Sequence, residues 1–260
     1  MRADQLLVER GLAASRSQAV RLIAGGLRWS LGSEWKTVTK NRDDIPEHAE
    51  LQLLDDAEAR YVSRGGLKLE GALRALKVDV AGMVCLDVGQ STGGFTDCLL
   101  QHGAARVVGV DVGTGQLHAR LRDDERVCCV ESVNARNLVA TDLVAAFPDQ
   151  FAADSQFSPI FSLVVGDVSF ISLTLVLPAL VPFIAPGADV VMLVKPQFEL
   201  QPEHIGKGGM VKDEASYPKV EARVRAAFAE LQLEVIGWID SPIQGGEGSR
   251  EFFIHARSKA

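Results

Sequence analysis

Apolar residues recur along this chain in two rhythms, and the change between them divides it. Two short helical patterns open the sequence, 4–10 ended by Gly11 and 16–24 ended by Gly25 and Gly26. Ser15 stands as N-cap of the second, with Gln18 three residues on in capping-box spacing. Ala19, Val20, Leu22 and Ile23 make its apolar face, which turns Arg16 and Arg21 outward. Short strand-like runs at 27–31, 35–38 and 50–54 predict a small curled sheet, and 55–60 reads as a charged linker. Beyond Tyr61 strand and helix alternate. Ser63 caps a helix through Leu67, Leu69, Ala72, Leu73 and Leu76, strands recur at 83–88, 106–110, 127–130, 160–166, 188–194, 233–239 and 251–256, and 214–231 is the clearest late helix. Such alternation predicts an α/β fold with a doubly wound, mainly parallel sheet, and the last two strands, joined only by a loop, suit an antiparallel edge. The organisation expected is therefore a small α+β domain over 1–56, a linker over 57–63 and a large α/β domain over 64–260.

Composition narrows the class. With 260 residues and 47% hydrophobic content the chain can bury one large core and a small second one. The apolar runs 160–166 and 173–185 are too short or too interrupted by Pro178 and Pro182 to span a bilayer, so a soluble cytoplasmic protein with no membrane partner is expected. Cys85, Cys98 and the vicinal Cys128 and Cys129 show no C-x-x-C spacing and the histidines no H-x-x-x-H, which assigns no metal and no disulfide. The net charge of −7 argues against a wholly nucleic-acid-facing surface. Against that average, 2–42 carries Arg2, Arg10, Arg16, Arg21, Arg28, Lys36, Lys40 and Arg42 opposed by Asp4, Glu9 and Glu34. That asymmetry points to a nucleic-acid-facing module at this end.

A glycine-rich turn organises the larger part. Met83 to Leu86 reads as a buried strand, Asp87 and then Gly89–Phe95, with Ser91, Gly93 and Gly94, as a tight turn that binds a cofactor close to backbone, and Phe95 onward as a helix. A dinucleotide fingerprint needs glycine two positions after Gly89, where this chain has Ser91. The next strand ends in Asp111, a carboxylate able to accept from both hydroxyls of an adenosine ribose, as NAD or S-adenosylmethionine would require. Asp87 favours the second, because the methionine end of that cofactor is cationic and carries no phosphate.

Two further strand ends carry candidate chemistry. Asp167 closes one apolar strand; Lys195 closes another and precedes Pro196, which holds it extended. Both project at carboxyl ends, beside the crevice where open α/β sheets bind ligands. Methylating a sugar hydroxyl requires removal of its proton, and an amine withdrawn from water serves as base when a carboxylate orients it. Lys195 fits the base and Asp167 its orienter. Lys68 could steady a developing alkoxide, although by spacing alone it reads as an exposed helix lysine. The long loop 197–213, with Lys207 and Lys212, is placed as a lid over substrate.

The stretch ADQLLVERGLAASRSQAVRLIAGGL resembles the RNA-binding domain named for ribosomal protein S-four, which implies RNA contacts from Arg2, Arg10, Arg16 and Arg21. It departs at RWSLGSEWKTV, where that family has a V-N-G hairpin. Further on, SRGGLKLEGAL, LDVGQSTGGFTDCLL, GVDVGTGQL, GDVSFISL, LVKPQFE and EFFIHAR together resemble the TlyA family of ribosomal RNA ribose methyltransferases, some labelled haemolysins, with a Rossmann-like FtsJ/RrmJ-type catalytic domain. The resemblance implies S-adenosylmethionine as cofactor, ribosomal RNA or a ribosomal subunit as partner, and 2'-O-methylation, of cytidine in that family. It further implies a Lys-Asp-Lys-Glu set at Lys68, Asp167, Lys195 and Glu251, with Glu247 the competitor for the last place, and cofactor contacts from Val112 and Asn134. A pore-forming haemolysin and an RNA-binding module without catalysis are the alternatives. The first lacks an amphipathic basic segment, and the second leaves the four-residue set without purpose.

Overall fold

The computed structural model describes residues 1–259 apart from Ala14, Ser33, Asp55, Asp56, Ser155, Gln156, Gly246 and Glu247. The chain separates into two compact units, Met1–Leu67 and Lys68–Ala260.

The first unit pairs helices α1 (Ala3–Glu9) and α2 (Arg16–Gly26) with a three-stranded antiparallel sheet of order β2-β1-β3, formed by β1 (Leu27–Ser30), β2 (Trp35–Val38) and β3 (Glu50–Leu53). Ser15 caps α2 through a hydrogen bond from the Gln18 amide, 3.2 Å. Its core gathers Leu6, Leu7, Ala19, Leu22, Ile23, Leu27 and Ile45. Val20, expected on the apolar face, is exposed, and Gln18 is buried in its stead. The charged stretch expected as linker holds a short helix, α3 (Ala57–Arg60).

The second unit is built on a seven-stranded sheet of order β6-β5-β4-β7-β8-β10-β9. Its strands are β4 (Val84–Val88), β5 (Arg106–Val110), β6 (Val127–Val130), β7 (Phe161–Gly166), β8 (Ile184–Val194), β9 (Leu233–Asp240) and β10 (Phe252–Ser258). The first five pair in parallel; β10 enters antiparallel between β8 and β9. The sheet therefore ends in an antiparallel edge, with the last strand inside it and β9 outermost. Helices α4 (Gly65–Leu76), α5 (Gly94–Gln101), α6 (Ala119–Arg122), α7 (Pro148–Ala153), α8 (Leu173–Leu180), α9 (Pro196–Glu199) and α10 (Tyr217–Glu230) make the connections. Leu86, Val108, Val164, Val190, Met192 and Ile254 meet Leu177, Leu180, Val224 and Phe228 in the main core. β8 begins at Ile184, earlier than its apolar run predicts, because a register shift opposite Phe161 and Leu163 accommodates the extra residues. The late helix is preceded by a single 3-10 turn, Glu214–Ser216.

Candidate active site

The reversal of strand order at β4 opens a crevice beyond the carboxyl ends of β4, β5 and β7, where parallel α/β sheets hold their ligands. A cavity of about 360 Å³ lies there, within the usual range for small-molecule sites. Gly89, Ser91, Asp111, Val112, Asn134 and Asp167, all singled out in the sequence, line it. Gln116, Val133, Ser169, Phe170, Ile171 and Val176 line it as well, without having been singled out. Gln116 had a signal as a member of the GVDVGTGQL motif, and Ser169, Phe170 and Ile171 as members of GDVSFISL. Gly89 has φ +82°, and a Cβ there would stand 2.7 Å from the Asp167 carbonyl oxygen, so only glycine lets β4 close against β7.

Asp111 is held rigidly: Oδ2 accepts from the Ser91 amide and Oδ1 from the Gly113 amide, both 2.7 Å. Each oxygen keeps a lone pair, so the carboxylate can still accept from two vicinal hydroxyls. Asn134 caps the following turn, its Oδ1 accepting from the Arg136 amide.

At the same end of the sheet, Asp167 and Lys195 follow the neighbouring strands β7 and β8, and Glu251 precedes Phe252, the β10 partner of Val194. Lys195 Nζ stands 2.5 Å from Asp167 Oδ1, outside hydrogen-bond angles, and donates to Ser169 Oγ at 2.5 Å. Lys68, on α4, is not the exposed lysine its spacing suggests. Its side chain is 11% exposed and Nζ donates to the buried Glu251 Oε2 at 2.5 Å. The structure thus pairs Lys195 with Asp167 and Lys68 with Glu251; Glu247 lies outside the described residues. Beside the first pair, Phe170 is 92% exposed at φ +63°, a strained conformation for a bulky residue.

Other residues of the glycine-rich turn sit behind the cavity wall. Asp87, Gly93, Gly94 and Phe95 are buried and do not line it. The φ of +92° at Gly93 turns the chain into α5, and a Cβ there would collide with Leu117 and Leu121. Phe95 stacks on Phe253, centroids 6.1 Å apart. Asp87 Oδ2 accepts from Thr96 Oγ1 at 2.6 Å, and Thr96 Oγ1 accepts from Gln90 Nε2 at 2.9 Å. Among the described residues, Asp87 Oδ1 and Gln90 Oε1 have no hydrogen-bond partner, although both are buried. Burial pushes the Asp87 carboxyl up to about 7, a rise that the Thr96 hydrogen bond opposes and nearby Asp167 and Asp111 reinforce.

The arginines of the first unit are less free than their helical spacing implies. Arg2 and Arg16 both converge on Asp4, which is buried, at 2.9 and 3.0 Å. The hydrogen bond from Arg2, aided by Arg16, holds the Asp4 carboxyl below its ordinary range against the opposing effect of burial. Arg10 donates to the carbonyls of Ala49 and Glu47, fastening α1 to the turn before β3. Arg21 is half-buried. Asp43, Asp44, Glu47 and Glu50 follow in the same unit and offset most of the positive excess of 2–42. On the sheet, Arg28 lies over the Trp35 ring at 5.5 Å and Lys36 over Trp29 at 5.1 Å. In the loop over 197–213, Gly206 and Met210 close a turn that leaves Lys207 exposed, while Lys212 Nζ donates to the Glu203 carbonyl.

Seven strands in this order, the last antiparallel and second from the edge, with a ligand cavity at the switch point, define a Rossmann-like methyltransferase fold. Residues 61–258 match the family model described as FtsJ-like methyltransferase. A 16S/23S rRNA (cytidine-2'-O)-methyltransferase TlyA from Mycobacterium tuberculosis is 42% identical, over 99% of this chain and 90% of that protein. A solved structure from Streptococcus thermophilus, carrying a hemolysin label, is 41% identical with TM-score 0.72, covering 100% of this chain and 88% of that one. An S-adenosylmethionine-dependent methyltransferase structure from Listeria monocytogenes, 12% identical with TM-score 0.53 over 75% of this chain and 99% of that one, shares the fold alone. The chain belongs to the FtsJ-like methyltransferase family and, within it, to the TlyA group.

Proposed function

We propose that this enzyme transfers a methyl group from S-adenosylmethionine to the 2'-hydroxyl of a ribose in ribosomal RNA, a cytidine as in the TlyA relatives. The observation that carries the reading is the Lys195–Asp167 pair beside a cavity that also presents Asp111. The cavity suits this cofactor: Asp111 takes the ribose hydroxyls, Val112 and Val133 offer apolar surface to an adenine, and Asn134 stands beside them. Ser91 takes the place where a pyrophosphate would need glycine, which disfavours a dinucleotide. Asp87 and the Gly93–Phe95 segment would act from behind, as support for the wall.

Once bound, S-adenosylmethionine supplies an electrophilic methyl on a sulfonium. Lys195 Nζ takes the 2'-hydroxyl proton while that oxygen attacks, and Asp167 stabilises the resulting ammonium. Ser169 fixes the amine's direction. Lys68, charge-balanced by Glu251, steadies the negative charge that gathers on the oxygen. Phe170 presents an exposed ring on which a base can stack.

Residues 1–56, followed by a linker over 57–63, would serve as an S-four-like RNA-binding module, with 64–260 the catalytic domain. Arg2, Arg10, Arg16 and Arg21 would then contact RNA while also bracing their own fold; Lys207 and Lys212 would meet it from the catalytic side. A substrate of this kind places the protein in the cytoplasm, with ribosomal subunits as partners. Among the described residues no helix is long and apolar enough to cross a membrane.

The test is transfer of labelled methyl to ribosomal subunits. Lys195→Ala abolishes transfer and leaves cofactor affinity nearly intact, because the lysine acts on the substrate hydroxyl. Lys195→Arg fails too, since a guanidinium stays protonated. Near wild-type turnover in Lys195→Arg would eliminate the general-base role.

A further inference from the structure

Glu199 is buried, it closes the four-residue helix that begins immediately after Lys195, and no step above uses it. Its carboxylate reaches out of that helix to the other loop of the site. Oε2 accepts from Ser172 Oγ and Oε1 from the Leu173 amide, both at 2.6 Å. Those donors form the N-terminus of α8, where the helix dipole favours a negative charge. Each carboxylate oxygen therefore has a short, charge-assisted bond, the condition under which a buried carboxylate is tolerated.

The chain geometry gives this clamp its reach. Ser172 lies five residues after Asp167 and three after Ser169, and Glu199 lies four after Lys195. Between Lys195 and Glu199 the backbone is a closed turn, begun by Pro196 and tied by the bonds from the Phe198 amide to the Lys195 carbonyl and from the Leu200 amide to the Pro196 carbonyl. A shift at Glu199 is thus passed to Lys195. Two further contacts brace this arrangement, one from α10 to the Glu199 turn and one between the two loops. Arg223 of α10 donates to the Glu199 carbonyl at 2.6 Å, and the Phe198 and Phe170 rings lie 5.5 Å apart. Phe170 keeps its strained φ of +63° inside this bracing, as strained residues persist only where their surroundings over-determine them.

Building on the proposed methyl transfer, we infer that Glu199 is a positioning residue: it locks the loop bearing Asp167, Ser169 and Phe170 to the turn bearing Lys195 and so sets the distance from amine to substrate oxygen. Misplacing a reacting group by about 1 Å costs on the order of a hundredfold in rate.

Glu199→Ala and Glu199→Gln are assayed with labelled cofactor and ribosomal subunits, and turnover is expressed per cofactor-binding site counted by calorimetry. Normalising in this way removes any loss of folded protein. Glu199→Ala should lower kcat by roughly a hundredfold with the KM for cofactor changed less than threefold. Glu199→Gln, whose amide oxygen still accepts from Leu173 and whose NH2 can donate to Ser172 Oγ, should recover kcat to within about tenfold of wild type. A kcat per site within threefold of wild type in Glu199→Ala would overturn the assignment, as would a Gln variant no better than Ala. A wild-type enzyme that binds cofactor and transfers nothing to ribosomal RNA would instead refute the proposed substrate.

Discussion

Replacing Asp87 by Asn should change how stability responds to pH, by an amount the site itself fixes. The carboxyl is 0% exposed, one oxygen is satisfied only by Thr96, and burial carries it from 3.8 up to about 7. Between those values the folded chain keeps a proton that the unfolded chain has released, so stability falls as pH rises from about 4 to about 7 and is level above. At 1.36 kcal/mol per unit, this group removes about 4 kcal/mol over the whole window, of which about 3 kcal/mol falls between pH 5 and pH 8. Asn has the same shape, can still accept from Thr96 and does not ionise. The stability difference, variant minus wild type, should therefore grow by about 3 kcal/mol from pH 5 to pH 8. Every other titrating group is common to both proteins and cancels. Urea denaturation at pH 5, 6, 7 and 8 measures it. A difference that stays constant over this range would mean that Asp87 is already ionised at pH 5, and the argument from its unpartnered Oδ1 would fall.

Asp111→Ala should weaken S-adenosylmethionine binding by about 1–3 kcal/mol in calorimetry, as expected for loss of hydrogen bonds to a charged acceptor; tight NAD binding without S-adenosylmethionine binding would overturn the cofactor assignment. Gly89→Ala forces a left-handed residue and a contact 2.7 Å from the Asp167 carbonyl, so unfolding stability should drop by at least about 2 kcal/mol, and an unchanged denaturation midpoint would contradict the close approach of β4 and β7.

Much of this architecture is legible in the sequence because it depends on local pattern. The Ser15 cap, the strand cores and the glycine turn follow from spacing within a few residues. The place of the last strand inside the antiparallel edge was not legible, since the uninterrupted burial from Phe252 to Ala256 is created by the strands on either side of it. The side-chain partners were not legible. Lys68 reads as a surface lysine because the carboxylate that buries it, Glu251, is 183 residues away. Arg16 looks unpaired until the helix pair brings it to Asp4. The place of Asp87 before the glycines points to the cofactor, whereas its side chain turns into the Thr96–Gln90 network, a direction that spacing alone does not fix.

The insertion of β10 between β8 and β9 also orders events during synthesis. A nascent chain that has emerged through β9 has nowhere to pair it, since in the finished sheet β9 bonds only to the strand that follows it. Until residues 252–258 appear, β8 presents an open, apolar edge of the kind that recruits other chains. Glu251 arrives with that same strand, so Lys68 waits uncompensated until then. Formation of the Lys68–Glu251 pair consequently awaits synthesis of β10, and chains truncated after β9 should be clients of chaperones rather than weak enzymes.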